Sequence, residues 1–90
     1  MLQQRAFSFF GTSFTLYVFE RAGDELPLHQ HSFEHGSVVA SGRVLVFDGA
    51  GTELPIAAPH ALVFTAQKRH GIRALSDGAA VLNVMPSVTP

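Results

Sequence analysis

Residues 23–42 have the sequence GDELPLHQHSFEHGSVVASG, and this stretch carries the strongest indication of the fold. His29 and His31 are two positions apart in an extended run, so in a β-strand both imidazoles project from the same face. On a helix the two side chains would diverge. After a short loop, His35 begins a second extended run, and a hairpin would return it to the side of the first pair. Imidazole is the commonest metal-ligating side chain, so the stretch predicts a metal site on paired strands.

The rest of the chain has the same extended character. No window keeps the i, i+3, i+4, i+7 apolar pattern of a helix, and short runs rich in Val, Ile, Phe and Leu alternate with turn-forming clusters. Eight or nine short strands without a substantial helix predict an all-β fold, a small antiparallel β-barrel or jelly roll. The predicted strands are Phe7–Phe10, Phe14–Arg21, Leu28–His31, His35–Ser41, Arg43–Phe47, Glu53–Ile56, Ala61–Thr65, His70–Leu75 and Ala79–Met85.

Two prolines lie inside extended runs of the sequence. Proline cannot donate a hydrogen bond to a sheet, so Pro27 and Pro55 are expected at edges, bulges or strand ends.

The composition narrows the classes of function. Ninety residues make one domain, and 47% hydrophobic with only 14% charged residues favours a folded chain over a disordered one. The net charge of −1 disfavours nucleic acid as a partner, and the apolar runs are too interrupted for a membrane span or an export signal. The chain has no cysteine, which excludes disulfides and thiolate sites and fits the cytoplasm.

The histidine-rich stretch also matches the first sequence motif of the cupin superfamily. That motif is a glycine, five residues, H-x-H, three or four residues, a glutamate, six residues and a glycine. Gly23, His29, His31 and Gly42 occupy the matching positions, and every spacing agrees. His35 stands where the family usually has glutamate. The chain therefore resembles a small single-domain cupin with histidine in place of the motif glutamate.

The second cupin motif, P-x-G-x-x-H followed by asparagine, is only partly matched. His70 stands in its histidine position, but Thr65, Gln67 and Ala74 replace the proline, glycine and asparagine. The first motif is thus the more specific of the two.

The resemblance covers residues 14–85 and implies a single cupin domain over residues 1–90. The N-terminal strand, residues 5–12, is expected at a sheet edge or in a dimer contact. Its aromatic residues either pack under the barrel or form an interface, and because small cupins often dimerise, a homodimer is expected. The cluster consists of Phe7, Phe9, Phe10 and Phe14.

The resemblance implies one metal ion held by four histidines, which are His29, His31, His35 and His70. Glu34 is the alternative to His35, because cupins also use a glutamate ligand. The motif spacing favours His35 and leaves Glu34 facing solvent or the pocket mouth. His60 follows a proline at a predicted turn, matches no motif position and is interpreted as a surface residue.

A four-histidine site would have a distinctive charge. Neutral imidazoles cancel none of the ion's charge, so the ion would be a strong Lewis acid and would attract anions. Imidazole suits Fe, Zn, Ni or Cu, and the lack of oxygen ligands disfavours Mg and Ca.

Three classes of function stay open from the sequence. The first is an oxygenase-like metal-dependent enzyme acting on a small organic molecule, with anions among the candidates. The second is a non-catalytic module that binds a metal or small ligand, and the third is a structural metal site. No catalytic residue beyond the histidines is identified, because no inward carboxylate or nucleophile pattern is evident.

The basic residues around His70 also have two interpretations. If His70 points inward, period-two alternation places Lys68 inward or at the rim and sends Arg69 and Arg73 outward. Lys68 would then guide anions to the mouth of the barrel. The alternative is an ordinary charged turn.

Overall fold

A computed structural model describes residues 1–30, 35–64 and 67–86. Within these ranges all strands pair antiparallel and no helix occurs, so none is long and apolar enough to cross a membrane. The predicted all-β fold class is confirmed. The strands are β1 (Leu2–Phe9), β2 (Thr12–Phe19), β3 (Glu25–His29), β4 (His35–Ser41), β5 (Arg43–Phe47), β6 (Glu53–Ala57), β7 (His60–Phe64), β8 (His70–Ala74) and β9 (Ala79–Pro86).

The strands form two sheets that enclose one core. The five-stranded sheet has the order β1-β2-β9-β4-β7, and the four-stranded sheet has the order β3-β8-β5-β6. Along β4, His35, Ser37 and Val39 are buried, and the residues between them are only half-buried, as a strand with one buried face requires. Both sheets contribute to a single apolar cluster, which makes the fold a jelly roll. The cluster consists of Phe19, Val39, Val44, Ile56, Phe64, Ile72, Ala74, Ala79 and Val81.

Strand positions agree closely with the sequence prediction, and β4 and β5 have the predicted bounds. The main difference is β1, which begins at Leu2 instead of Phe7. This strand is at the sheet edge and is exposed from Gln3 onwards. Because neither face of β1 is buried there, polar residues fit it as well as apolar ones, and the hydrophobic pattern could not reveal its first half.

Both prolines lie on edge strands, as predicted. β3 and β6 are the outer strands of the four-stranded sheet and contain Pro27 and Pro55. The pairing of β3 with β8 shifts register between Leu26 and His29, so Pro27 falls at an irregularity. An edge position leaves the missing N–H without consequence for the sheet.

Gly42 alone links β4 to β5 and takes the chain from one sheet to the other. Its φ of +71° favours glycine. A Cβ at this position would lie 2.6 Å from Ser76 Oγ and 2.9 Å from the Cα of Ala79. Glycine is therefore required at the last position of the first motif for a steric reason, because any side chain would displace the neighbouring backbone.

Candidate metal site

Three of the predicted histidines meet at one end of the barrel. His29 ends β3, His35 begins β4 and His70 begins β8. The pairing of β3 with β8 sets His29 opposite His70, with ring centres 4.4 Å apart, and the rings of His35 and His70 are 5.4 Å apart. His35 and His70 are buried, and His29 is half-buried. The fold thus brings together side chains that are up to 41 positions apart in sequence.

The ring spacing suits shared coordination of one ion. When two imidazoles ligate one ion at about 2.1 Å, the ring centres are roughly 3.2 Å from the ion and about 4.5–5.2 Å from each other. The distances of 4.4 and 5.4 Å lie close to that range. Small rotations of the rings are enough to reach it.

Backbone carbonyls orient two of the rings. Nδ1 of His29 is 2.7 Å from the Pro27 carbonyl oxygen, and Nδ1 of His70 is 3.3 Å from that of Lys68. A carbonyl only accepts, so in the neutral ring Nδ1 donates and Nε2 carries the lone pair. Metal-ligating histidines in proteins commonly have this arrangement, with one ring nitrogen held by the backbone.

The described histidines do not form a complete site by themselves. Residues 1–30, 35–64 and 67–86 contain no group of three His, Cys, Asp or Glu side chains arranged to hold a metal ion. His31, the fourth predicted ligand, and Glu34, the alternative to His35, lie outside the described residues. The three imidazole rings have nitrogen donors suited to a metal ion, and neighbouring rings are at a suitable distance from each other. The role of His31 as a ligand stays a prediction.

His60 is exposed at the start of β7, as predicted for a surface residue. It pairs with Val39 of β4 and lies on the edge strand of the five-stranded sheet. The register places it four residues along β4 from His35, so it stands apart from the histidine cluster.

Phe64 holds the rings in place, a role that the sequence did not indicate. Its ring stacks on His70 at 4.0 Å with an interplanar angle of 12°, and it lies 5.3 Å from the ring of His35. It ends β7 and pairs directly with His35 across the sheet. Stacking covers the face of His70 and leaves its in-plane nitrogens unobstructed by Phe64. Only the strand register, which is not encoded in any motif, places Phe64 here.

A buried polar pair lies one step further into the barrel. Ser37 Oγ donates a hydrogen bond to Asn83 Oδ1 at 2.6 Å, and both side chains are buried. Ser37 is two residues from His35 on the same inward face of β4. The interior beneath the histidines is therefore partly polar, and a buried hydrogen bond of this kind fixes the register of β4 against β9.

A cleft of about 200 Å³ opens beside His70. It is lined by Val46, Phe47, Asp48, Thr52, Leu54, Val63, Phe64, Lys68, Arg69 and His70. Lys68 was expected inward or at the rim, and it lies at the cleft. Arg69, which was predicted to point outward, is exposed and also borders this open cleft. It precedes β8, which begins at His70, so strand alternation does not determine its side.

Arg73 is on the outer face of β8, as predicted. Its guanidinium forms an ion pair with Glu25 at 2.9 Å and lies 5.3 Å from the centre of the Phe47 ring. This arginine therefore has a structural partner on the surface and does not contribute to the cleft.

Asp48 is the one carboxylate lining the cleft among the described residues. Its Oδ1 accepts hydrogen bonds from the backbone amides of Ala50 at 2.8 Å and Thr52 at 3.0 Å. These bonds hold the pKa of Asp48 below its usual range. The side chain closes the loop between β5 and β6, and its ionised state makes it a poor proton donor.

Comparison with known proteins shows the same architecture. No protein-family model matches the sequence, and no curated protein matches it. Solved structures do match. A cupin superfamily protein from Desulfitobacterium hafniense is 12% identical with a TM-score of 0.82, covering 98% of this chain and 79% of that one. An RmlC-like cupin from Desulfovibrio desulfuricans is 23% identical with a TM-score of 0.80, covering 97% and 84%. KdgF from Halomonas sp. is 20% identical with a TM-score of 0.81, covering 98% and 82%.

The antiparallel jelly roll with histidines gathered at one end defines the class of this molecule as a double-stranded β-helix domain. The structural neighbours make the assignment more specific, and the chain has the cupin fold. The resemblance stated from the first motif is confirmed at the level of the fold. At these sequence identities the likeness says nothing further about activity.

Proposed function

We propose that this protein is a metal-binding cupin whose histidine cluster holds one divalent transition metal, Fe, Zn, Ni or Cu. The observation that carries the proposal is the convergence of His29, His35 and His70, with neighbouring ring centres 4.4 and 5.4 Å apart. The backbone contacts at Nδ1 of His29 and His70 support it, because they direct Nε2 as the ligating atom.

The proposed ligand set is His29, His31, His35 and His70. Bound there, the ion would supply Lewis-acid chemistry to a molecule in the cleft. The protein's own part is to orient the rings through Phe64 and the backbone carbonyls. Since no carboxylate belongs to this set, the site would keep the full charge of the ion and favour anionic molecules.

An oxygenase-like enzyme acting on a small organic molecule is the function we favour over a purely structural metal site. The cleft beside His70 supports this choice, because it gives solvent and small molecules access to the cluster. A non-catalytic binding module has the same access and is the alternative. Turnover of a small organic molecule by the metal-loaded protein would distinguish the enzyme from the binding module.

The composition supports proposals on the setting of the protein. The absence of cysteine favours a reducing compartment, and we propose the cytoplasm. The net charge of −1 favours small molecules over nucleic acid as partners.

Metal analysis tests the central proposal directly. After mild purification, or after reloading with Fe, Zn, Ni or Cu, elemental analysis is expected to find close to one ion per chain. Cobalt(II) loading adds a spectroscopic measurement, since visible ligand-field bands should change when azide is added to an open coordination position. Failure to bind any of these metals with all four histidines intact would remove the basis for the proposal.

A homodimer is also proposed, through the outward face of the five-stranded sheet. Most side chains on that face are apolar, although they are only half-buried or exposed in the single chain. Phe9 at its edge is 61% exposed, and the ring of Phe7 stacks on that of Phe14 at 5.0 Å. A sheet face of this kind is typically covered by another sheet, and a second copy supplies one. The apolar residues proposed for the contact are Phe7, Phe9, Phe14, Leu16, Val18, Val38, Ala61, Ala80, Leu82 and Val84. Gln3, Arg5 and Thr12 lie on the same face toward its β1 edge, and Val63 lies at the opposite edge, where it borders the cleft beside His70.

Charge placed on this face should shift the protein to monomer. Phe9→Lys and Leu82→Lys would each put an ammonium group into the dimer contact, where desolvation is unfavourable. Light scattering after gel filtration is expected to give the mass of two chains for the wild type and one for the variants. Leu54→Lys, on the four-stranded sheet, is the matched control and should stay dimeric. An unchanged mass for both variants would show that this face is not the interface.

A further inference from the structure

The cleft beside His70 lies between the free edges of the two sheets. β6 is the last strand of the four-stranded sheet and β7 the last of the five-stranded sheet, and Leu54 and Val63 line the cleft from these two strands. The inner end is formed by Phe64 and His70. A molecule in the cleft would therefore touch the histidine cluster at one end and solvent at the other.

The walls of this cleft are predominantly apolar. Leu54 is 54% exposed and Val63 is 69% exposed, and Val46 continues the apolar surface inward. An apolar group that lies between these two sheet edges would remove their exposed aliphatic side chains from water. The volume of about 200 Å³ suits a small ligand.

The charged groups at the cleft leave an excess of positive charge. Lys68 and Arg69 directly precede His70, and neither forms an ion pair within the described residues. The Asp48 carboxylate is already engaged by the amides of Ala50 and Thr52. The two cations are therefore the groups able to receive an anion, and a guanidinium binds a carboxylate in a bidentate manner.

We propose that this cleft binds a small amphipathic organic carboxylate. The carboxylate lies against Lys68 and Arg69 beside His70, and the apolar body lies between Leu54 and Val63. This inference rests on the proposed function, since it names the class of molecule that the metal site would act on. Its basis is the combination of two cations that have no ion pair among the described residues with an apolar surface between the sheet edges.

Titration with hexanoate tests the proposal on zinc-loaded and on metal-free protein. Hexanoate has the size, charge and apolar body that the cleft requires, and binding is measured by calorimetry and by backbone amide shifts. Acetate tests the apolar wall and should bind at least about tenfold more weakly. Hexanol and hexylammonium test the charge, and neither should approach the affinity of hexanoate.

Substitutions then locate the binding. Arg69→Gln and Lys68→Gln should each weaken hexanoate binding about threefold to fivefold, and Leu54→Ser should reduce the difference between hexanoate and acetate. All three positions are exposed, so folding should be retained. Arg43→Gln removes the same charge from the opposite end of β5 and should leave hexanoate affinity unchanged.

The outcomes separate this inference from the metal proposal. If zinc binds but hexanoate and hexanol bind alike, or if Arg69→Gln and Lys68→Gln both bind hexanoate as the wild type does, the carboxylate assignment is overturned and the metal site stands. If hexanoate binds selectively to a protein that takes up no metal, the cleft assignment stands and the metal proposal fails.

Discussion

Replacing His70 with phenylalanine is expected to lower metal affinity more than about 100-fold while the barrel stays folded. Residues that only support a ligand typically change affinity by about 10- to 100-fold, so loss of a ligand should exceed that range. Phenylalanine keeps the aromatic stack on Phe64, where the rings are now 4.0 Å apart, but has no nitrogen. Competition between the protein and a chromophoric chelator for zinc would measure the loss.

Two further variants separate ligation from packing. His70→Ala should lose metal affinity similarly and also lower the melting temperature, because it leaves a cavity beside Phe64. His60→Ala removes an exposed histidine far from the cluster and should bind zinc as the wild type does. If His70→Phe keeps wild-type affinity, His70 is a packing residue and the site needs another explanation.

The sequence predicts the fold well because hydrophobic alternation and turn residues act locally. β4 begins at His35, and Gly42 separates it from β5. Both residues stand at positions of the first motif, and Gly42 forms the turn that the fold requires there. β1 was only half predicted, since an exposed edge strand has no buried face to impose a pattern. The same reasoning explains why Pro27 and Pro55 could be assigned to edges without knowledge of the strand order.

The site was less predictable because it depends on register between distant strands. The motif indicated His29, His35 and His70, and the structure gathers them. Phe64 and Leu54 belong to no sequence motif. Their places along the cleft that contains His70 depend on where the edge strands β6 and β7 lie in the fold. The place of Arg69 at the cleft was not predicted either, because Arg69 precedes β8 and strand alternation does not determine its side.

The outward face of the larger sheet shows a further limit of sequence patterning. In β9 every residue from Ala79 to Leu82 is apolar. This pattern fits a strand that is buried on one face of its sheet as well as a strand that is buried on both faces. The structure separates the two sets, with Val81 in the core and Leu82 on the outside. A partner surface of this kind becomes visible only after the core has been identified.

His35→Glu is expected to retain metal binding and to make folding depend on the metal. This substitution restores the ligand set of three histidines and one glutamate that is usual in the cupin motif. His35 is only 3% exposed, so an unliganded carboxylate there would be buried, which disfavours its charged form and destabilises the fold. A bound divalent ion compensates that charge. At a metal concentration about 100 times the Kd, the stabilisation reaches about 2.7 kcal/mol.

The comparison with His35→Ala and Glu34→Ala decides which residue is the ligand. His35→Ala should bind metal far more weakly than either the wild type or His35→Glu, and Glu34→Ala should change little. The melting temperature of His35→Glu should rise more on zinc addition than that of the wild type, since only the variant has a buried carboxylate to neutralise. The carboxylate should also weaken azide binding to the cobalt-loaded protein, because it lowers the charge of the site by one. If Glu34→Ala abolishes metal binding while His35→Ala retains it, the ligand is the glutamate, and the centre has the ligand set that is usual in the family.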